Sequence, residues 1–131
     1  VTEYKPYGIY KAEVKTEGGK NRFNVSLESG TFDLESGVKI SYAGECRTSD
    51  FIELGDNWEY IVYSNYETST NLITWCYDEN YNYLGYIATN PAKLLEKTKY
   101  INFRLSSDNL TQNIQIEEGT VATFYHHDQT K

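Results

Sequence analysis

The chain has 131 residues, a formal net charge of −7 at pH 7, and 13 Tyr, 5 Phe and 2 Trp but no Met. This length supports one domain with its own core. The negative charge argues against binding to nucleic acid or to an anionic membrane surface, because both need clustered Lys and Arg. Tyrosine suits half-buried strands and surfaces that meet sugars, although most of these rings are expected simply to fill a sheet.

Residues 1–20 differ from the rest of the chain, and we interpret them as a lead-in segment or an edge strand from a preceding region. Residues 4–10 are turn-prone, and residues 11–16 alternate like a short strand. No apolar signal segment is visible at the start of the chain. Because the chain begins with Val rather than Met, we expect it to be a piece of a longer protein. No apolar run approaches the ~20 residues that cross a bilayer.

Short runs with strand-like patterns follow one another from residue 21 onward. They cover residues 23–27, 38–42, 51–54, 58–63, 72–77, 84–87, 100–105 and 114–117. Turn signals rich in Gly, Asp and Asn separate these runs. This succession predicts an all-β protein built as an antiparallel β-sandwich or barrel. We assign residues 21–127 to the sandwich and residues 128–131 to a tail.

Two further features of the sequence are a possible short helix and a pair of cysteines. Asn90 could cap a short helix with Pro91 at its first position and residues 92–97 as one or two turns. Cys46 and Cys76 are too few for a disulfide framework, and they pair only if their strands are neighbours. Free, half-buried thiols are the favoured prediction, which fits assembly in a reducing cytoplasm.

Residue patterns that carry catalysis or bind metals are weak in this chain. His126 and His127 would point in opposite directions on an extended chain, so a tail is favoured over a metal site. With 19 acidic residues, a pair of glycosidase carboxylates cannot be recognised from sequence. Residues 78–83 resemble the start of a calcium loop, but Tyr83 stands where an EF-hand needs glycine. A turn built from Asp and Asn is favoured, so we predict neither an enzyme nor a cofactor and leave a structural calcium open.

The strand at residues 72–77 carries one of the two tryptophans. Period two places Ile73, Trp75 and Tyr77 on one face, with Thr74 and Cys76 on the other. If the face with Ile73, Trp75 and Tyr77 is internal, Trp75 is a packing residue, and this is the interpretation we favour. If that face is exposed and concave, Trp75 is a platform on which a sugar can stack.

Two later strands have clearer faces. In residues 100–105 one face is apolar, with Ile101, Phe103 and Leu105. The other face carries Tyr100, Asn102 and Arg104, a set that suits recognition of hydroxyls or anionic groups. A solvated face with Arg104 paired to an acid is the equal alternative. In residues 114–117 the two isoleucines point inward, and Gln115 and Glu117 share the opposite face. Glu117 could form an ion pair with Arg47 or Arg104.

Six groups of short motifs follow one another over about residues 19–125. They are Gly19-Lys20-Asn21-Arg22-Phe23, Ser29-Gly30-Thr31-Phe32-Asp33 with Ser36-Gly37, Arg47-Thr48-Ser49-Asp50-Phe51-Ile52, Tyr77-Asp78-Glu79-Asn80 with Tyr83-Leu84-Gly85, Tyr100-Ile101-Asn102-Phe103, and Gln115-Ile116-Glu117-Glu118-Gly119 with Ala122-Thr123 and Tyr125. Taken in this order, they resemble a module found in tail and baseplate proteins of phages that infect Gram-positive bacteria.

This resemblance implies a jelly-roll sandwich similar to the carbohydrate-binding modules of glycoside hydrolases. In phages the family works as an accessory adhesion domain in the virion, on the tail or baseplate, and is assembled in the bacterial cytoplasm. The implied partners are host cell-wall polysaccharide and other tail or baseplate proteins, without nucleic acid or membrane insertion. The chain departs from the family at Asn102, where arginine is frequent, and at Leu94-Leu95, which look like an insertion.

The sequence therefore predicts a non-catalytic carbohydrate-binding module of a phage tail or baseplate protein. The expected stacking rings are Trp58, Trp75, Tyr81 and Tyr83, and the expected polar partners are Tyr100, Asn102 and Arg104. One alternative is a structural or oligomerisation sandwich of a virion protein. Another is an ancillary sugar-binding domain of a glycan-degrading enzyme.

Overall fold

A computed structural model describes residues 21–123. The expected lead-in of residues 1–20, the tail of residues 128–131, and His126 and His127 lie outside the described residues. Eleven short strands occur within the described range. They are β1 (Leu27–Ser29), β2 (Thr31–Phe32), β3 (Lys39–Ile40), β4 (Cys46–Thr48), β5 (Ile52–Glu53), β6 (Tyr60–Ser64), β7 (Leu72–Tyr77), β8 (Tyr83–Ile87), β9 (Ala92–Lys93), β10 (Tyr100–Leu105) and β11 (Gln115–Glu118).

The strands form two packed sheets and a separate hairpin, and every pairing is antiparallel. The larger sheet has the order β1-β4-β10-β7-β8, and β5 pairs with β10 alongside β4. The smaller sheet has the order β9-β6-β11, and β2 pairs with β3 as the hairpin. The predicted fold class, an all-β protein with antiparallel sheets, is confirmed.

The core lies between the two sheets and follows the alternation of the strands. Ile101, Phe103 and Leu105 of β10 are fully buried in it, as their shared face predicts. The Phe103 ring lies 5.1 Å from the Tyr63 ring of the smaller sheet, measured between centroids. The Tyr63 hydroxyl and Thr74 Oγ1 are 2.7 Å apart, so a buried hydrogen bond also joins the sheets.

The other face of the larger sheet is covered by the hairpin segment, residues 31–40. Phe32 packs on Trp75 with ring centroids 5.0 Å apart. The Trp75 indole donates to the Asp33 carbonyl at 3.0 Å, and the Tyr77 hydroxyl donates to the Gly37 carbonyl at 2.7 Å. Gly37 has a φ of 71°, and a Cβ there would lie 2.7 Å from the Tyr83 ring, so this close approach requires glycine.

The prediction of a helix after Asn90 is wrong. The Asn90 side chain accepts from the Tyr63 N–H at 2.9 Å and donates to the Tyr63 carbonyl at 3.0 Å, so it binds β6 instead of capping a helix. Ala92 and Lys93 then pair with Ile61 and Tyr60 as strand β9. Residues 21–123 contain no helix long and apolar enough to cross a membrane.

Cys46 and Cys76 are free thiols in β4 and β7, and they do not form a disulfide. Both are fully buried, so the expectation that they are half-buried is wrong. Burial raises the pKa of both thiols, because the thiolate loses its hydration. Neither cysteine therefore has the exposed, easily ionised thiol of a reactive site.

Truncation of the central core ring should be costly. Phe103→Ala removes a fully buried ring, and we expect a loss of about 3–5 kcal/mol in the free energy of unfolding. Tyr42→Ala is the control at an exposed ring, expected to change stability by less than about 0.5 kcal/mol. Urea unfolding monitored by fluorescence measures both, and equal losses would contradict the assigned core.

The thiols provide a second check on the core. Because Cys46 and Cys76 are the chain's two cysteines and are buried, a thiol reagent such as Ellman's reagent should modify neither in the folded protein. Both should react after addition of denaturant. Fast modification of either thiol without denaturant would show that its strand is not packed as described.

Candidate functional site

An open hollow of about 400 Å³ lies on the hairpin-covered face of the larger sheet, beside the hairpin segment. We call it the aromatic hollow. Its rings are Phe32, Phe51, Tyr77, Tyr81 and Tyr83, and the rest of its lining comes from Ser36, Gly37, Val38, Lys39, Asn82 and Asn102. Tyr77 and Asn102 reach this face because strand residues alternate between the two faces of a sheet.

An aromatic ridge, formed by Tyr81, Tyr100 and Phe51, borders this hollow. The rings of Tyr81 and Tyr100 stack with centroids 4.3 Å apart and an interplanar angle of 19°. Phe51 lies 4.8 Å from Tyr81. Tyr81 remains 52% exposed, so part of its ring is open to a ligand. A hydrogen bond with the Tyr81 side chain raises the pKa of Tyr100 to about 12. The Tyr100 phenol is therefore neutral at pH 7, as an ordinary tyrosine is.

The turn at residues 78–83 holds Tyr81 in place. The Asp78 carboxylate accepts the backbone N–H groups of Asn80 at 2.8 Å and Asn82 at 2.9 Å. Tyr81 has a φ of 66°, a left-handed conformation that this turn supports. Hydrogen bonds from Asn82 lower the pKa of Asp78, and the bond from the Asn82 backbone N–H has the largest effect. The Asp78 oxygens thus serve the predicted Asp/Asn turn.

Asn102 and Tyr83 supply the polar atoms at the base and side of the hollow. Asn102 is only 3% exposed, and its Oδ1 accepts from Thr48 Oγ1 at 2.7 Å. Burial raises the pKa of Tyr77, an effect that the adjacent Asn102 amide partly opposes by hydrogen bonding. The Tyr83 hydroxyl donates to the Leu34 carbonyl at 2.7 Å, and burial raises the pKa of Tyr83 to about 12. These side chains are held before any ligand arrives.

Trp75 and Trp58 do not belong to this hollow. Trp75 is fully buried beneath the hairpin segment, so its expected role as a stacking platform is wrong. Trp75 shares its strand face with Tyr77, as predicted, and the hairpin segment covers Trp75 on that face. Trp58 is half-buried against the main core, with the Arg22 guanidinium 5.4 Å from its ring centroid. It does not line the aromatic hollow.

The arginines have structural partners. The Arg104 guanidinium lies 3.5 Å from Glu45 and donates to Ser106 Oγ at 3.2 Å, so it lies outside the aromatic hollow. The Arg47 guanidinium binds Glu28 at 2.8 Å. The expected ion pair of either arginine with Glu117 is therefore wrong.

Glu117 stabilises the end of the described chain. Its carboxylate accepts the Thr123 N–H at 3.0 Å and the Thr123 hydroxyl at 2.7 Å. The Gln115 amide also donates to it. Gln115 and Glu117 are both buried, although the alternation of their strand suggested that they face outward. Both residues belong to the Gln-x-Glu motif, which therefore has a structural role in this chain.

Of the predicted site residues, the structure brings Tyr81, Tyr83, Tyr100 and Asn102 together. Sequence reasoning missed Phe32, Phe51 and the hairpin residues 36–39 as lining residues. Phe32 and Phe51 lie in the stretches that carry the family resemblance, and this was the available signal. Their neighbours are distant in sequence, so no local pattern placed them beside Tyr81.

Within residues 21–123, no group of three or more His, Cys, Asp or Glu side chains is arranged to hold a metal ion. Comparisons with known protein families, with characterised proteins and with solved structures found no match for this chain. Function is therefore inferred from the residues and their geometry.

Acid should destabilise the folded protein, because it protonates carboxylates that accept hydrogen bonds in the turns and loops. Hydrogen bonds lower the pKa values of Asp33, Glu67 and Asp78. Because the folded protein favours the ionised forms, their stabilisation is complete above the unfolded values and is lost as the pH falls through the lower folded values. The free energy of unfolding should therefore decrease from about pH 5 to about pH 3.

Denaturant titrations across this pH range test the effect, with Asp78→Asn as the matched variant. The variant should be less stable at neutral pH and should show a shallower decrease in acid. A decrease identical to that of the wild type would mean that Asp78 does not contribute to it.

Proposed function

We propose that this chain is a non-catalytic carbohydrate-binding module. The observation that carries the proposal is the aromatic hollow, in which the exposed Tyr81 ring lies near the buried Asn102 amide. Sugars present C–H faces that stack on aromatic rings and hydroxyls that exchange hydrogen bonds with amides and phenols. A concave apolar surface with a few fixed polar groups is the usual form of a small-ligand site.

Each ridge and hollow residue has a distinct role in this proposal. Tyr81 offers its ring to a pyranose, and Tyr100 supports that ring from the other side at 4.3 Å. Asn102 and Tyr83 contact hydroxyls at the base and wall. One such site binds weakly, with a Kd on the order of 0.1–1 mM. Several copies on one particle raise the overall affinity through effective concentration.

The resemblance in sequence extends the proposal to a phage tail or baseplate protein with jelly-roll topology. Its ligand is then host cell-wall polysaccharide, its other partners are tail or baseplate proteins, and its location is the virion after assembly in the bacterial cytoplasm. Support comes from the order of the motifs and from their use here: the Asp33 and Gly37 carbonyls hold the hairpin segment, and the Asp78 motif forms the turn beneath Tyr81. An ancillary domain of a glycan-degrading enzyme would use the same hollow.

A structural module of a virion protein is the second candidate, and one observation favours it. In and just after the hairpin segment, which we call the hairpin region, four apolar or aromatic side chains are 42–60% exposed: Leu34, Val38, Ile40 and Tyr42. Apolar residues gathered on a surface can meet a neighbouring chain. In that case the hairpin region would be covered in an oligomer.

Binding of purified Gram-positive cell-wall polysaccharide tests the main proposal. Tyr81→Ala removes the exposed ring, and we expect at least an approximately tenfold loss of affinity, about 1.4 kcal/mol. Tyr42→Ala is the matched control, a similarly exposed tyrosine outside the aromatic hollow, and should bind like the wild type. Calorimetry or NMR titration measures the affinities, and circular dichroism checks the fold of each variant.

Two results would contradict a sugar-binding role. The first is no binding of any saccharide at millimolar concentration. The second is equal binding by the wild type and a folded Tyr81→Ala variant. An oligomer in solution that Tyr42→Ala or Val38→Ala dissociates would instead support the structural module.

A further inference from the structure

A second hollow, of about 510 Å³, adjoins the aromatic ridge and has a polar lining. We call it the polar hollow, and its lining residues are Gly55, Asp56, Asn57, Asp78, Glu79, Asn80, Lys97, Thr98 and Lys99. The 78–83 turn is shared, because residues 78–80 line the polar hollow and residues 81–83 line the aromatic hollow. Lys99 directly precedes Tyr100, whose ring stacks on Tyr81. The aromatic ridge therefore lies at the junction of the two hollows.

The shared wall is held by fixed contacts on both of its sides. On one side, the Asp78 carboxylate binds the backbone N–H groups of the turn. On the other, Lys99 Nζ lies 3.2 Å from Asp56 and from the Leu54 carbonyl, and 3.4 Å from Glu53. A ligand that spans the ridge would meet a surface already ordered, which limits the entropy lost on binding.

The charges around both hollows indicate what kind of chain would bind. Lys39 Nζ, at the aromatic hollow, lies 2.9 Å from Glu28 and donates to the Ser49 carbonyl at 2.8 Å. Lys99 is similarly occupied. The polar hollow has the acids Asp56, Asp78 and Glu79 against Lys97 and Lys99. Lys97 is exposed at the polar hollow, but the acids there outnumber it. Recognition of phosphate or carboxylate groups uses Arg or Lys side chains that acids do not already neutralise, and both hollows are poor in such side chains.

The exposed side chains of the polar hollow suit hydroxyl groups. Glu79, Asn80 and Asn57 are exposed at its rim. A carboxylate accepts hydrogen bonds from hydroxyls, whereas an amide both donates and accepts. The Asn80 contact in the turn uses its backbone N–H, so its side-chain amide is not part of that bond.

We propose that the ligand is an uncharged polysaccharide bound along its chain, with one unit in the aromatic hollow and the following units across the aromatic ridge in the polar hollow. This inference rests on the proposed carbohydrate-binding function and specifies its ligand. The stacked ridge supports the chain in the middle, and the polar hollow adds hydrogen bonds that a single sugar cannot make. Affinity should therefore depend on chain length.

The test is a titration with uncharged saccharides of glucose, galactose, rhamnose and N-acetylglucosamine, each from the monosaccharide to the hexasaccharide. Poly(glycerol phosphate) is the anionic probe. For the saccharide type that binds, we expect affinity to rise about tenfold or more with length. The double variant Glu79→Ala with Asn80→Ala should lose most of that gain while its monosaccharide affinity, measured by NMR shifts, stays unchanged. Tyr81→Ala should weaken binding at every length.

The outcomes separate this inference from the proposed function. Equal affinity for short and long saccharides, or a double variant that binds the hexasaccharide like the wild type, overturns the two-hollow arrangement but leaves the module. Tighter binding of poly(glycerol phosphate) than of every uncharged chain overturns the choice of an uncharged ligand. No binding of any probe overturns the proposed function and this inference together.

Discussion

Three aromatic side chains of the larger sheet each donate a hydrogen bond to a backbone carbonyl of the hairpin segment. Trp75 binds Asp33, Tyr77 binds Gly37 and Tyr83 binds Leu34, at 2.7 to 3.0 Å. An intramolecular hydrogen bond contributes about 1 kcal/mol net, and two of these three bonds, from Trp75 and Tyr77, are partly buried. The contacts therefore bind the segment to a sheet face that would otherwise expose large rings.

The reach of the hairpin segment decides which rings remain open. Trp75 lies beneath it, whereas Tyr81 and Tyr100 lie past its edge and cover each other by stacking. The Asp78 turn keeps Tyr81 in its left-handed conformation. The same surface is poor in available cations, because Lys39 and Lys99 already contact acids or carbonyls and Lys97 lies among an excess of acids. An ordered ring surface with few available charges suits an uncharged, hydroxyl-rich ligand better than an anionic one.

Local patterns in the sequence determined much of this protein. The faces of β10 and the inward position of Ile116 were predicted, because side chains in a strand alternate whatever lies around them. The turn at residues 78–83 was predicted for a similar reason, since Asp and Asn side chains bind backbone groups only a few residues away. The antiparallel all-β class followed from the succession of such short strands and turns. Tyr81, Tyr83, Tyr100 and Asn102 were named because they lie in these local features.

Only the tertiary structure decided which of these faces stays open. Period two placed Trp75 on one face with Ile73 and Tyr77 but left open whether that face is internal, because the hairpin segment that buries it lies about forty residues earlier in the chain. The predicted helix after Asn90 is replaced by hydrogen bonds to β6, and Arg104 pairs with Glu45, which lies far from it in sequence. Burial and pairing depend on residues distant in sequence. No local pattern contains that information, so it appears only when the sheets and the hairpin segment pack together.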